Sequence, residues 1–274
     1  GVGGVGVARE FHDKQWFAIA PDGTALLVWN VNHQLSGRCD DPASVNECTQ
    51  VLFSVTKDGG RTWSAPGVIA EGGIFSGAFP LIRADGGWVV SFRDTDASQI
   101  RVAVSTDQGA TWTVSEAIDF TTKFPVLAAT PGPAGERLHM AYPMVEGGHD
   151  SQQTVTLRWS DDGGRTWSAP LALDTPEAEG RTNPAIAPAA NGSVIVTFFH
   201  PRGAGADYRT VAVRDGHVSE PLVLGTHEGT EGERTRHTGD YMGIAPLPDG
   251  SAFAVWNAKQ GEAFTVTGAR LVAE

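Results

Sequence analysis

The chain is short of four features, and each shortage excludes a class of protein. No apolar run approaches the roughly 20 residues of a membrane-spanning helix, and the longest, 194–199, is strand-sized. Basic residues are few, 20 against 32 acidic ones, for a net charge of −12. Nucleic acids and anionic membranes attract positive surfaces, so we expect neither as a partner. Sustained helical periodicity is also missing, which favours an all-β fold.

Cysteine is the fourth scarce feature, with two residues in the chain. Cys39 and Cys48 lie nine positions apart in a polar stretch. Two thiols make a poor zinc site, so a disulfide that closes one loop is the favoured interpretation, and two free thiols are the alternative. A disulfide would imply a secreted or periplasmic protein. No basic leader precedes an apolar stretch, so we expect a removed leader or a start inside a longer chain.

Glycine and proline are abundant, with 34 and 16 residues, and they mark an internal repeat. The segment 58–66, DGGRTWSAP, recurs letter for letter at 162–170. A third copy occupies 105–112, and a fourth, eroded copy begins at Asp215. The four Asp positions follow one another at intervals of 49, 55 and 53 residues. Such regular spacing is typical of a repeat architecture.

Each repeat unit has the pattern of four β-strands. A Gly in a polar turn, such as Gly23 or Gly250, separates two short apolar stretches, which predicts a hairpin. A third stretch leads into the Asp-containing turn, and a fourth follows it. Four strands about every 50 residues are typical of a propeller blade. Five units are visible, starting near Asp13, Gly77, Lys123, Thr182 and Asp240.

The last unit ends after its third strand, 264–271, without an Asp-containing turn. Residues 2–7 are a candidate for its fourth strand. We therefore predict an all-β fold, with 1–274 forming a single β-propeller domain of four-stranded blades. The ring has five blades, or six if an N-terminal blade is missing from this chain.

The Asp-containing turn is predicted to be structural. Its carboxylate can accept backbone N–H bonds across the turn, and its Gly residues can adopt positive φ angles. Its Trp can bury apolar surface against a neighbouring blade. The set comprises Asp58, Trp63, Asp107, Trp112, Asp162 and Trp167.

The pattern Ser/Thr-x-Asp-x-Gly-x-Thr-Trp resembles the Asp-box, or bacterial neuraminidase repeat, of the sialidase superfamily. The resemblance extends from Asp13 to Leu271. It implies a propeller whose active site lies at the strand ends opposite the Asp-boxes. The same repeat occurs in lectins, receptor ectodomains and assembly factors, so a hydrolase, a carbohydrate-binding propeller and a protein-interaction scaffold all stay open.

The resemblance also implies substrate-binding residues. A sialidase binds its substrate's carboxylate with several arginines, because a planar guanidinium matches a carboxylate bidentately. Arg209 is similar in position to one of these arginines, and Arg93 and Arg181 would complete the cluster. Arg202 and Asp240 belong to the same charged strand ends.

The catalytic residues that the resemblance implies are a tyrosine nucleophile, a glutamate base and an acid/base aspartate. Tyr241, just before the first strand of the last unit, resembles the nucleophile, with Glu233 as its helper. Asp94 or Asp13 would be the acid. The family's Arg-Ile-Pro motif near the N-terminus is missing, and the nearest match, 80–83, lies in the second unit.

The charged residues at the strand ends differ from unit to unit, which favours one asymmetric catalytic site over a repeated lectin site. The histidines have no ligand-like spacing, so we expect solvated loop histidines, no metal and no cofactor. The predicted function is that of a secreted, monomeric exo-α-sialidase-like hydrolase. Its substrate would be a glycan with a terminal sialic acid or related acidic sugar. The alternative is a non-catalytic carbohydrate-binding or protein-interaction propeller.

Overall fold

A computed structural model describes most of the chain, and all regular structure in it is β-strand. The described residues form no helix, and therefore none with the length and hydropathy for a membrane crossing. The chain divides into two compact units, Gly1–Ala117 and Ile118–Glu274. The described residues are 11–32, 49–95, 97–115, 118, 121, 123–133, 135–145, 153–174, 182–229 and 242–272.

The first unit contains two four-stranded antiparallel sheets. Sheet 1 runs β1 (Phe11–Ile19), β2 (Ala25–Asn32), β3 (Thr49–Thr56) and β4 (Gly67–Gly73). Sheet 2 runs β5 (Phe75–Ile82), β6 (Trp88–Asp94), β7 (Gln99–Ser105) and β8 (Thr113–Val114).

The core of the first unit lies between these two sheets. Side chains of a strand alternate between its faces, so every second residue of β2 and β6 enters this core. Leu26 and Val28 of sheet 1 pack with Trp88, Val90 and Phe92 of sheet 2 in one buried cluster. Burial of each such side chain contributes roughly 1.5–3 kcal/mol. The alternation therefore fixes which residues at the strand ends face the space between the sheets.

The second unit contains three antiparallel sheets. Sheet 3 has β9 (Val126–Gly132), β10 (Gly135–Val145), β11 (Gln153–Ser160) and β12 (Leu171–Asp174). Sheet 4 has β13 (Ala185–Pro188), β14 (Val194–Arg202) and β15 (Gly205–Arg214), whose outer edge pairs with β16 (His217–Val218) and β17 (Leu222–His227). Sheet 5 has β18 (Gly243–Pro246), β19 (Ala252–Gln260) and β20 (Ala263–Leu271).

Sheets 4 and 5 share a core at which the faces of β15 are easily distinguished. Phe199 and Tyr208 pack with Met242, Trp256 and Ala258, and the Tyr208 and Trp256 rings stack with centroids 4.6 Å apart. Because neighbours along a strand face opposite sides, Asp207 and Arg209 lie on the other face of β15.

The first hairpin turn of four sheets is held by a side-chain oxygen. The carboxylate or amide oxygen of the residue before the turn Gly accepts the backbone N–H two positions after itself, as in an Asx turn. In each pair the first residue's amide donates to the second residue's side chain: Thr24 to Asp22 at 2.9 Å, Gly87 to Asp85 at 2.9 Å, Ser193 to Asn191 at 3.0 Å and Ser251 to Asp249 at 3.0 Å.

The predicted all-β fold is confirmed at the level of the sheets, which follow the five repeat units. The described part of sheet 5 has three strands, as predicted from the lack of an Asp-containing turn in the fifth repeat unit. Residues 2–7, the candidate fourth strand, lie outside the described residues.

Candidate functional site

The three complete Asp-box turns share one hydrogen-bond pattern. In the first, Asp58 Oδ1 accepts the Thr62 amide at 2.9 Å and the Thr56 hydroxyl at 2.8 Å. Asp58 Oδ2 accepts the Thr62 hydroxyl at 2.6 Å. The turns of Asp107 and Asp162 repeat these bonds, with the Ser105 and Ser160 hydroxyls at the position of Thr56 and with Thr111 and Thr166 at the position of Thr62. Each carboxylate is thus satisfied by its own turn.

These bonds stabilise the charged form of each carboxylate. The Thr62 and Thr111 hydroxyls, followed by their backbone N–H groups, lower the pKa of Asp58 and of Asp107 to about 2. At Asp162 partial burial raises the pKa, but the bonds from Thr166 and its neighbours outweigh it and the pKa falls to about 2. A carboxyl group with so low a pKa is a poor proton donor near neutral pH.

The glycine and tryptophan of the Asp-box differ in burial between copies. Gly109 has a φ of +86°, and a Cβ there would lie 2.7 Å from Phe53 and 2.8 Å from Trp88. Trp112 packs against the same two rings, with centroids 5.5 Å and 6.3 Å away. Trp63, in contrast, is 44% exposed.

A serine after each turn ties the outer strand to its neighbour. Ser64 accepts the Val55 amide on its hydroxyl at 3.1 Å and returns its own amide to the Val55 carbonyl at 2.9 Å. The same reciprocal pair recurs in every copy, including the eroded one. The serines of the other copies are Ser115, Ser168 and Ser219.

At the opposite strand ends of the first unit, the predicted residues Arg93 and Asp94 are adjacent on β6 and face opposite sides of sheet 2. Arg93 is 9% exposed, and burial lowers its pKa while Asp94 opposes the shift. Its Nη2 lies 3.4 Å from Ser98 Oγ, and its Nε has no hydrogen-bond partner among the described residues. The two residues therefore do not meet in one constellation.

Asp94 lines an open pocket of about 630 Å³ between sheets 1 and 2. Phe75 and Phe92 contribute aromatic surface to it, and Glu71 and Arg101 contribute charge. Arg101 Nη2 lies 3.8 Å from Asp94 Oδ2, and Nη1 donates to the Ser115 carbonyl at 3.2 Å. With two carboxylates against one guanidinium, the pocket has a negative balance that disfavours an acidic ligand.

Asp13 lies on β1 beside a register irregularity between Asp13 and Trp16. It is opposite Asn30 of β2 and is partly buried. Lys14 within the irregularity has a φ of +56°. Its neighbour His12 accepts the indole N–H of Trp29 at 2.9 Å.

The strand ends of sheets 3 and 4 bring together a larger charged group, here named the strand-end cluster: Asp174, His200, Arg202, Asp207 and Arg209. His200 Nδ1 donates to Asp174 Oδ2 at 2.6 Å. Arg202 Nε donates to Asp207 Oδ1 at 2.7 Å. The cluster contains two carboxylates and two guanidinium groups, so its charge is neutral or, with a protonated histidine, positive.

Arg209 has the least satisfied guanidinium of the strand-end cluster. Its Nη1 lies 3.6 Å from Asp174 Oδ2, and its Nη2 lies 3.5 Å from Asp207 Oδ2. Charge-assisted N–H···O bonds are normally about 2.7–2.9 Å long. Its Nε has no partner among the described residues, although the side chain is largely buried. Such a group can donate to a further anionic oxygen.

Sequence reasoning named the arginines of the strand-end cluster but neither of their carboxylate partners. Asp207 was accessible to it, since residues two apart on a strand share a face. Asp174 comes from another sheet, and nothing local in the sequence indicated it. The expectation of solvated histidines is wrong for His200 and His227, which are 2% and 4% exposed.

Two of the three tyrosines lie in the core with their hydroxyls bonded. Tyr142 accepts Arg158 Nε at 3.0 Å, and Tyr208 donates to Thr197 Oγ1 at 2.8 Å. Burial raises the pKa of the Tyr208 phenol, and the bond to Thr197 opposes the rise. Neither phenol is available as a nucleophile, which leaves Tyr241 as the tyrosine to consider.

Several predicted residues lie outside the described part of the chain, and their assignments stay predictions. They are Tyr241, Glu233, Asp240, Arg181, Cys39 and Cys48. The described residues contain no group of three or more His, Cys, Asp or Glu side chains arranged to hold a metal ion.

Comparison with solved structures shows the same fold in several proteins. A Dyadobacter fermentans protein of unknown function is 16% identical with a TM-score of 0.64, over 98% of this chain and 84% of that one. The Hadza microbial sialidase Hz136 is 18% identical with a TM-score of 0.64, over 96% and 53%. A leech intramolecular trans-sialidase is 11% identical with a TM-score of 0.62, over 97% and 56%.

These identities show the fold alone, and the chain spans about half the length of the two sialidase structures. No curated protein matches the chain. Residues 20–196, more than half of the chain, match the family described as BNR repeat-like domain. With the three complete Asp-boxes and the antiparallel sheets, this match shows that the chain belongs to the BNR repeat-like family.

Proposed function

We propose that the protein is a sialidase-like glycoside hydrolase acting on glycans that end in sialic acid or a related acidic sugar. The observation that carries the proposal is the under-satisfied guanidinium of Arg209. An unsatisfied buried polar group costs free energy, and a carboxylate on a ligand would supply the missing acceptors. The strand-end cluster suits an acidic sugar better than the first unit's negative pocket does.

The neighbours of two undescribed residues support the same location. Thr182, which follows Arg181 in the chain, is buried, and its carbonyl accepts the Phe199 amide at 2.7 Å. Met242, which follows Tyr241, packs on Phe199 and Tyr208. Both are anchored at the strand ends of sheets 4 and 5 that are opposite the hairpin turns.

In the proposed reaction the Tyr241 hydroxyl attacks the anomeric carbon, and Glu233 takes its proton. An aspartate would protonate the departing glycosidic oxygen, and Asp94 and Asp13 are the candidates from the sequence. Water then attacks the anomeric carbon of the glycosyl–tyrosine intermediate and gives a proton to the same aspartate. The carbon–oxygen bond to Tyr241 breaks, Glu233 returns its proton to the tyrosine oxygen, and the sugar is released. Arg209, with Arg181 and Arg202, would bind the carboxylate, and Asp240 would contact the sugar.

The finer features of the fold belong to the same proposal. We propose a single propeller domain of five or six blades, secreted as a monomer with a Cys39–Cys48 disulfide. The all-β sheets and the sialidase-like neighbours support the propeller. A free-thiol titration of the unfolded, non-reduced protein should find no thiol, and two thiols would refute the disulfide.

Hydrolysis of a fluorogenic sialoside tests the activity. The parent should turn over the substrate, and Tyr241→Phe should reduce kcat by about a thousandfold or more, since it removes the nucleophile. Arg137→Gln is the matched control, because Arg137 binds Asp161 at the Asp-box end of sheet 3. It should retain parental kinetics.

The outcomes separate the rival functions. Binding of sialic acid by the parent without turnover would support the non-catalytic carbohydrate-binding alternative. If the parent neither binds sialic acid nor turns over the sialoside, the hydrolase function and the carbohydrate-binding function are both rejected. Equal turnover by the parent and Tyr241→Phe would remove Tyr241 from the mechanism.

A further inference from the structure

The two carboxylates nearest Arg209 are each engaged by a different donor. His200 holds Asp174 Oδ2 at 2.6 Å, while Arg209 is 3.6 Å from the same oxygen. Arg202 holds Asp207 through Oδ1 at 2.7 Å, while Arg209 is 3.5 Å from its Oδ2. Arg209 thus lies between two anions without a short bond to either.

His200 is the more rigid of these two donors. It is 2% exposed, whereas the Arg202 side chain is 52% exposed. A carboxylate is acceptor-only, so the short contact places a proton on His200 Nδ1 and fixes the ring. Its Nε2 has no hydrogen-bond partner among the described residues and is shielded from solvent. The Asp174 bond is therefore the polar contact that orients this ring.

Removal of the His200 donor would change the contacts of Arg209. Arg–carboxylate pairs are favoured as short, bidentate contacts. Asp174 released from His200 would be free to close the 3.6 Å gap to Arg209. A closed Asp174–Arg209 pair would use the guanidinium N–H groups that a ligand carboxylate needs. The bond to His200 prevents this closure by keeping Asp174 engaged.

We propose that His200 is a positioning residue, which restrains Asp174 so that Arg209 stays open to an anionic ligand. This inference rests on the proposed function for the identity of that ligand. His200 acts through Asp174 and needs no ligand contact of its own. In this arrangement His200 holds the Asp174 carboxylate, and Arg209 binds the sugar.

Binding of N-acetylneuraminic acid, measured by calorimetry, tests the role. His200→Leu replaces the imidazole by an apolar side chain of comparable volume and removes the donor to Asp174. It should raise Kd about tenfold, which corresponds to the loss of one good hydrogen bond to the ligand. His200→Asn places an amide N–H where Nδ1 was and should restore Kd to within about threefold of the parent. His200→Gln, whose N–H reaches the Nε2 position instead, should behave like His200→Leu and replaces it if the leucine variant does not fold.

A double-mutant cycle shows whether the effect passes through Asp174. In an Asp174→Asn background, His200→Leu should change Kd less than twofold, because the charge that would close on Arg209 is gone. A full tenfold effect in that background would overturn the proposal. Equal Kd for the parent and His200→Leu, while Arg209→Gln weakens binding, would also overturn it and leave the proposed function standing.

A ligand-free measurement keeps the inference independent of the proposed function. In ¹⁵N-labelled protein, rotation of the Arg209 guanidinium about its Nε–Cζ bond should slow in His200→Leu, since a closed ion pair restrains it, and recover in His200→Asn. Slowing with no sugar binding by the parent would support the positioning role and reject the acidic-sugar function. Unchanged rotation in His200→Leu would reject the positioning role whatever the parent binds.

Discussion

The Asp-box turns and the strand-end cluster use the same chemical groups in opposite ways. At Asp162 three bonds of 2.6–2.9 Å come from Ser160 and Thr166, both in the same turn. In the strand-end cluster Arg209 has two contacts of 3.5 and 3.6 Å, to carboxylates that have other donors. A carboxylate that the neutral donors of its own turn satisfy stabilises the fold, whereas incompletely paired buried charges are available to a ligand.

The largest expected effect in this comparison is the loss of ligand affinity when Arg209 is replaced. Arg209→Gln removes the charge and should raise the Kd for N-acetylneuraminic acid about a hundredfold, as expected for loss of two charge-assisted bonds. The melting temperature should move little, because Arg209 has no short bond within the protein. Calorimetry and a thermal melt give both numbers. A large fall in Tm with unchanged Kd would mark the cluster as structural.

The reverse result is expected at an Asp-box. Asp162→Ala removes the acceptor for four bonds, from Ser160, Arg165 and Thr166, and should lower Tm by about 4 °C, with the ligand Kd unchanged. Asp161→Ala is the neighbouring control, since its ion pair with Arg137 is solvent-exposed and such pairs contribute little. A weaker ligand affinity in Asp162→Ala would break the comparison.

Acid titration tests the Asp-boxes as a set. Their pKa values of about 2 lie below the ordinary 3.8, so the folded state binds fewer protons than the unfolded state in this range. The stability that they contribute is complete above about pH 4 and is lost as the pH falls toward 2. Thr166→Val removes one donor to Asp162 and should flatten the dependence of unfolding free energy on pH between 4 and 2. An unchanged slope would contradict the hydrogen-bond origin of the shift.

A last test concerns His139, a buried histidine outside both regions. Burial, and then Arg137, lower its pKa to about 4 from 6.5, so the unfolded state takes up a proton first. Stability should fall as the pH drops from 6.5 to 4 and change no further below that through this residue. His139→Gln should remove this component, and chemical denaturation at pH 7 and pH 4.5 measures it. An identical loss in both proteins would contradict it.

The repeat made the sheets predictable, because each Asp-box fixes the end of a third strand and each Gly turn fixes a hairpin. Trp112 and Trp63 occupy the same motif position yet differ in burial, since burial depends on what the adjoining sheet presents. The site was harder to predict for the same reason. Arg209 could be found from its spacing to Asp215, but its partner Asp174 is supplied by a different sheet.

The alternation of side chains along a strand separates residues that lie close together in the sequence. Arg93 and Asp94 are both predicted at the charged strand ends, but neighbours on a strand face opposite sides, so the two do not share one site. His200 was expected in solvent because it was assigned to a loop, whereas it is still within β14. Strand ends in this fold extend far enough that charged residues near a loop remain inside the sheet.

The reciprocal serine bonds that follow all four turns are separable from the rest of the Asp-box motif. Ser219 keeps its reciprocal bonds to Ala212 at 2.9 Å although the turn before it has lost its Thr and Trp. Strand registration therefore does not require a complete box. For protein engineering, the turn that connects β15 and β16 is therefore the preferred insertion site. A full Asp-box or a foreign peptide can replace it without redesign of the sheet.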